Sequence, residues 1–330
     1  MSVTSDSGLR ERPERVLARE FLAWGRRNCL REFWAWARWK QASVPSVEQL
    51  SGAIAEMRVG QRDEARDAAE DLETPIFLLA TGWRTGSTLL QRILVTDPRL
   101  LLWGEPLGEM TLFTEMAQMV ARMRGFPELE KQFIGNQNSS SSMPTSWIGT
   151  LFPPPEDFRM ALRMLVDRWL AEPVRRRGFA RWGFKEVRLG ATEAILLRWL
   201  YPRAKFVFLT RHPHDSYRSM ADANWHHVYY RRPDVRVDSA FGFASHWNRL
   251  AVSWSHLPAG FPSFQIKYED LVQGKVDFRK LESWLGIQIK EDVALSVSVS
   301  STRASERLNW HESFIIARYA AAGMRALGYS

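Results

Sequence analysis

Pro75-Ile-Phe-Leu-Leu-Ala-Thr-Gly-Trp-Arg-Thr-Gly-Ser-Thr-Leu-Leu-Gln-Arg-Ile-Leu94 decides the fold of this 330-residue chain. An apolar run breaks into a loop with two glycines, and the loop opens an amphipathic helix. Such a strand, loop and helix make a cradle for phosphate. Backbone N–H groups of residues 85–88 lack partners at the helix start, the helix dipole adds partial positive charge, and Gly82 and Gly86 admit a ligand closely. Arg84 and the hydroxyls of Thr85, Ser87 and Thr88 suit an anion. The Mg-ATP form of this loop, G-x-x-x-x-G-K-[ST], needs a lysine that does not follow Gly86 here. A nucleotide other than Mg-ATP is therefore expected.

A second stretch, Lys205-Phe-Val-Phe-Leu-Thr-Arg211, is β-branched and aromatic and leads through His-Pro-His-Asp into Ser216-Tyr-Arg-Ser-Met220. It predicts another strand, turn and helix start. Arg211 falls at the carboxyl end of that strand, where ligands gather in an open parallel sheet, and Ser219 falls early in the next helix. Two anion sites imply a ligand with two separated phosphate groups.

The pair R-T-G-S-T after one strand and R-x-P-x-D-x-x-x-S after a later one resembles the sulfotransferases that use 3′-phosphoadenosine 5′-phosphosulfate (PAPS). The likeness runs through separated motifs from about Thr74 to about Trp310, and is closer to the bacterial and tyrosylprotein type than to the cytosolic steroid and phenol type. It implies that Arg84, Thr85, Gly86, Ser87 and Thr88 hold the 5′-phosphosulfate. Arg211 and Ser219 then hold the 3′-phosphate. Gln265-Ile-Lys-Tyr-Glu-Asp-Leu271 matches the family's x-x-Y-E-x-L segment, which puts Tyr268 near the adenine. Ser300-Ser-Thr-Arg303 falls where relatives carry a loop over the nucleotide, so Ser301 and Arg303 become phosphate candidates, although the R-K-G form of the cytosolic enzymes is absent.

Sulfuryl transfer needs in-line positioning, stabilisation of charge on the leaving oxygen and a base for the acceptor hydroxyl. Leu101-Leu-Trp-Gly-Glu105 places a carboxylate just beyond the strand that follows the cradle helix. Glu105 is the expected base, with Glu109, His226 and His227 in reserve. Arg84 is the first cation for the leaving oxygen, and Lys185, in Arg181-Trp-Gly-Phe-Lys-Glu-Val-Arg188, resembles a lysine of the tyrosylprotein enzymes. Lys185 paired with Glu186 or another acid is the competing reading, as is Arg211 paired with Asp215. No metal is required, because the cations do the neutralising. Trp225-His-His227, Tyr229 and Tyr230 offer aromatic faces to an acceptor.

Strand candidates at 76–80, 100–103, 182–185, 206–210 and 264–267 alternate with helical patterns. They predict an α/β, P-loop-like three-layer fold with a central, mostly parallel sheet flanked by helices, plus an N-terminal helical extension. The expected division is 1–73 for the basic extension and 74–330 for the catalytic domain. Residues 15–40 alternate Arg with Trp, Phe and Leu, which suits a membrane surface, a cover over the catalytic domain or a homodimer interface. Ser46 is an expected N-cap of further helix. Residues 136–155, with four consecutive serines and three consecutive prolines, read as a long polar insertion, either a lid or a surface loop.

Composition sets outer bounds. A net charge of +8 and a pI near 9.8 favour anionic ligands or surfaces, while dispersed arginines without zinc-ligand spacing or an RNA-binding motif argue against nucleic acid. Cys29 is the only cysteine, so an intrachain disulfide and a cysteine zinc cluster are excluded. No apolar run nears the roughly 18 residues of a membrane span. A cytoplasmic, bacterial-type enzyme is expected, acting with PAPS on a glycan, phenolic or other hydroxyl acceptor and releasing adenosine 3′,5′-bisphosphate. The rivals are a Mg-ATP kinase of small molecules or nucleotides, and a non-catalytic adaptor on membrane or RNA.

Overall fold

The computed structural model describes residues 44–58, 73–108, 110–123, 153, 155–222, 237, 239–290 and 308–329. All five expected strands form: β1 (Ile76–Ala80), β2 (Leu100–Gly104), β3 (Arg181–Glu186), β4 (Lys205–Thr210) and β5 (Ser263–Lys267). They pair in the order β2-β3-β1-β4-β5, and every neighbouring pair is parallel. A parallel sheet covered on both faces demands apolar residues at consecutive positions. β1 meets that demand at all five of its buried positions. Ile76, Leu78 and Ala80 enter one core while Phe77 and Leu79 enter the other.

Three strands begin slightly before their apolar letters do. Arg181 N–H donates to Arg99 O at 2.9 Å and Lys205 N–H to Pro75 O at 2.9 Å, so the backbone ladder carries polar residues into the sheet at its amino end. Phe77 is the aromatic centre of the second core, with ring centroids 4.7 Å from Phe184 and 5.3 Å from Phe206.

The helices, in chain order, are α1 (Val47–Arg58), α2 (Ser87–Leu94), α3 (Leu112–Ala121), α4 (Pro155–Val166), α5 (Ala191–Leu200), α6 (Pro213–Asp222), α7 (Ala240–Ser255), α8 (Tyr268–Val272), α9 (Phe278–Leu285), α10 (Trp310–Tyr319) and α11 (Ala321–Ala326). α4 runs on through a π-helical turn at Asp167–Ala171 and a last turn at Glu172–Arg175. Leu90 of α2, Tyr217 of α6, Trp247 of α7, Leu281 of α9, Ile316 of α10 and Met324 of α11 fill the first core. Ile54 of α1, Phe113 of α3, Leu162 of α4 and Leu196 of α5 fill the second. The result is three layers, with α/β alternation through the middle of the chain.

Ser46 caps α1 as expected. Its Oγ accepts the Gln49 N–H at 3.1 Å, and Gln49 Oε1 accepts the Ser46 N–H at 2.8 Å, a reciprocal capping box. Leu50, Ile54 and Met57 then lie in the second core, and the Thr192 hydroxyl donates to Pro45 O at 2.8 Å. Residues 44–58 of the N-terminal region thus share a core with the segment after 74. The expected basic helix at 15–40 and most of the insertion lie outside the described residues, although Pro155 opens α4, where a fixed φ suits a first helical turn.

Topology fixes where a ligand can enter. From β1 the chain passes through α2 to the edge strand β2 and returns as β3, but after β3 it crosses to the opposite flank of β1 as β4. The direction of winding reverses at β1, so a crevice opens at the carboxyl ends of β1, β3 and β4.

Candidate active site

The loop after β1 has the left-handed geometry its glycines foretell, with Gly82 at φ +117° and Gly86 at φ +85°. Gly86 is the N-cap of α2 and no side chain caps that helix, which leaves the first-turn N–H groups facing the crevice for an anion. The Thr85 hydroxyl is buried and donates to Gly82 O at 3.0 Å, so the loop is tied to itself and that proton is spent within it. Ser87 is buried and Thr88 exposed at the helix start. A Cβ at position 86 would stand 2.2 Å from Cδ2 of Tyr268, so only glycine fits beneath that ring.

The second motif meets the first. Arg84 Nε donates to Ser219 Oγ at 3.2 Å, a contact between residues 135 positions apart. Arg211 Nη1 donates to Arg84 O at 2.8 Å, and its guanidinium lies 4.3 Å from the centroid of the Tyr268 ring. Trp247 Nε1 donates to Arg211 O at 3.1 Å, fixing the backbone from the α7 side. Burial draws the Arg211 guanidinium below its ordinary pKa, opposed in part by Tyr268, Asp215 and Glu269. Among the described residues no carboxylate forms an ion pair with Arg211; Asp215 instead pairs with Arg218 at 2.7 Å. A desolvated cation resting on a carbonyl and a ring face is suited to an anionic ligand.

The third component comes from β2 and β3. Glu105 N–H donates to Lys185 O at 2.8 Å, and the Glu105 and Lys185 side chains form an ion pair. The lysine side chain is 7% exposed and the glutamate 27%, so the carboxylate is the member that opens to the crevice. Arg84, at φ +61°, and Glu105, at φ +45°, are the positive-φ non-glycine residues among those described. That conformation costs a side-chain-bearing residue on the order of 1–2 kcal/mol and is tolerated where the surroundings enforce it.

Sequence reasoning overlooked what enforces it. Arg188 donates from Nε at 2.7 Å and Nη2 at 2.6 Å to the fully buried carboxylate of Glu186, while its Nη1 donates to Gly108 O. Gly108 N–H in turn donates to Glu105 O at 3.3 Å, so the turn bearing Glu105 is held to the end of β3. His246, also buried, packs its ring 5.2 Å from Trp83 and bonds Val187 O at 3.1 Å beside the cradle loop. The spacing of Glu186 and Arg188 on one face of an extended segment was the available signal. His246 carried none, because its role depends on α7 crossing the loop.

Glu109, His226, His227, Tyr229, Tyr230, Ser301 and Arg303 lie outside the described residues. The structure brings together Arg84, Gly86, Arg211, Ser219 and Tyr268 on one side and Glu105 with Lys185 on the other. Among the described residues no group of three His, Cys, Asp or Glu side chains is placed to hold a metal ion, and no helix is long and apolar enough to cross a membrane.

The profile described as the sulfotransferase family matches residues 75–291, a span that includes all five strands and both candidate phosphate motifs. No curated protein sequence matches the chain. Solved structures similar to it include a sulfotransferase domain from the curacin biosynthetic pathway, at 15% identity and TM-score 0.44, covering 79% of this chain and 99% of that one. A sulfotransferase domain from the Synechococcus PCC 7002 olefin synthase has 19% identity and TM-score 0.39, with 79% and 90% covered. A sulfotransferase from Alicyclobacillus acidocaldarius has 15% identity and TM-score 0.38, with 78% and 95% covered.

Proposed function

Since the chain belongs to the sulfotransferase family, we propose that it transfers the sulfuryl group of PAPS to an acceptor hydroxyl and releases adenosine 3′,5′-bisphosphate. The observation that carries this reading is the Arg84–Ser219 hydrogen bond, which joins two phosphate motifs into one site with Arg211 beside them. A nucleotide with phosphates at both ends of its ribose matches that site, the 5′-phosphosulfate at the N-terminus of α2 and the 3′-phosphate at Arg211 and Ser219. Tyr268, spread over Gly86 and Arg211, offers a ring face on the nucleoside side.

In this mechanism the acceptor oxygen forms a bond to sulfur as the bond from sulfur to the bridging phosphate oxygen breaks. Glu105 takes the hydroxyl proton. The electron pair of the broken bond stays on the phosphate oxygen, where Arg84 and Lys185 stabilise the charge. The Glu105–Lys185 contact links the two events. Once the carboxylate is protonated its hold on the ammonium weakens, and the lysine's charge becomes available to the leaving oxygen as that oxygen turns negative.

Calorimetry with adenosine 3′,5′-bisphosphate and with Mg-ATP tests the nucleotide. Binding of the bisphosphate without metal supports the reading; binding of Mg-ATP alone would replace it with a kinase, and salt-sensitive binding to vesicles or RNA without bisphosphate affinity would replace it with an adaptor. Incubation with sulfur-labelled PAPS and a panel of phenols, sugars, primary alcohols, tyrosine peptides and water then identifies the acceptor class.

A further inference from the structure

Tyr329 lies 119 residues from Thr210 in sequence, yet the two hydroxyl oxygens are 3.0 Å apart. The chain is steered there by α11. That helix ends at Gly328, φ +65°, with Tyr329 N–H donating to Met324 O at 2.8 Å and Gly328 N–H to Arg325 O at 3.2 Å. This is a Schellman stop, and its left-handed residue turns the next side chain back along the helix axis. Lys267, at the end of β5, receives the returning chain: its Nζ donates to Gly328 O at 3.1 Å and lies 4.6 Å from the Tyr329 ring centroid. The ring also meets His212, centroids 5.5 Å apart.

The phenol proton is committed to Glu269 Oε2 at 3.0 Å, so the Thr210 hydroxyl is the donor in its bond to Tyr329. Glu269 Oε1 accepts the backbone N–H of His212 at 2.9 Å. Burial, before any other cause, pushes the Tyr329 hydroxyl pKa up, so it remains a donor at neutral pH. Thr210 and His212 are the two neighbours of Arg211. The phenol therefore holds the Thr210 side chain on one side of the guanidinium-bearing residue, and the carboxylate it bonds holds the His212 backbone on the other.

We propose that Tyr329 is a positioning residue for the nucleotide's 3′-phosphate, its hydroxyl bridging Thr210 and Glu269 so that Arg211 is presented at a fixed angle to Ser219. The inference rests on the reading that Arg211 binds that phosphate. It does not involve Tyr329 touching the ligand, and Tyr329 lies beyond the residues 75–291 that the family profile matches.

The test compares two probes, adenosine 3′,5′-bisphosphate and adenosine 5′-monophosphate, which lacks the 3′-phosphate, titrated calorimetrically into the native chain, Tyr329→Phe, Thr210→Val and the double variant. Tyr329→Phe keeps the ring and its packing, and thermal melting checks that it folds. Expected are a three- to tenfold weaker affinity for the bisphosphate, an affinity for the monophosphate unchanged within twofold, and a double variant no weaker than the single ones. Equal losses for both nucleotides would reduce Tyr329 to a general structural role and overturn the proposal. An unchanged bisphosphate affinity, or additive losses in the double variant, would overturn it too. If the native chain prefers the bisphosphate no more than the monophosphate, the assignment of Arg211 itself falls and takes this inference with it.

Discussion

The two flanks of the crevice are built on opposite electrostatic plans. On the β2–β3 flank the described charges nearest the crevice are paired: Glu105 meets Lys185, and Glu186 meets Arg188 in an ion pair whose side chains are 0% and 4% exposed. On the β1–β4 flank Arg211 rests on the Arg84 carbonyl and the Tyr268 ring, and no described carboxylate pairs with it. A compensated flank can exchange a proton without holding a ligand. An uncompensated flank can hold an anion without taking part in proton transfer. The difference sets the proposed base apart from the proposed 3′-phosphate contact, so substitutions at Glu105 and at Arg211 should move different constants.

Glu105→Gln should have the largest effect. Loss of a general base lowers sulfation by on the order of a hundredfold or more, while bisphosphate affinity stays within about twofold because the residue belongs to the compensated flank. Initial rates with labelled PAPS and calorimetry with bisphosphate check both halves, and unchanged turnover would move the base to Glu109, His226 or His227. Arg211→Ala should do the converse. Losing a charge-assisted contact worth about 1.5–3 kcal/mol weakens bisphosphate binding by roughly ten- to a hundredfold and raises the KM for PAPS, with kcat far less affected. A normal KM in that variant would break the comparison.

Arg188→Lys tests the compensated flank from behind. A lysine keeps a cation beside buried Glu186, so the chain avoids the roughly 3–5 kcal/mol cost of an unpaired buried charge, but one ammonium cannot also serve Gly108 as the guanidinium fork does. Turnover should fall about tenfold as the turn bearing Glu105 loosens, since small misplacements at a reacting centre cost rate steeply. Melting curves and bisphosphate titrations should stay close to native. The smallest effect is expected from Tyr268→Leu, which removes a ring from under the Arg211 guanidinium. A cation–π contact of about 0.5–2 kcal/mol translates into a few-fold loss of bisphosphate affinity.

Much of this arrangement was legible in the letters. Every strand was marked by its apolar run, and the two candidate phosphate loops stood out because glycine, arginine and hydroxyl residues stood together right after those runs. Strand order was not, and it decides the chemistry. Glu105 and Lys185 meet only because β3 inserts between β1 and β2, which puts the ends of β2 and β3 side by side. Read without that order, Lys185 had Glu186 as its nearest acid, yet Glu186 faces the opposite side of the strand and holds Arg188. Asp215 was the competing partner for Arg211, but one helical turn carries it to Arg218. Tyr329 was beyond reach for a different reason. Its partners are brought to it by the stacking of α11 on α7 and by a single glycine turn, and no local pattern encodes that distance.

Arg84 and Glu105 carry an uncommon backbone twist at two of the three positions proposed for the reaction itself. A lineage that kept this scaffold but abandoned turnover would lose its reason to retain those side chains, and drift toward glycine or asparagine would relax both turns. At 84 that relief should raise the melting temperature, whereas at 105 it is outweighed by the stranded Lys185 ammonium, so a retired copy should change its residue at 84 sooner than at 105.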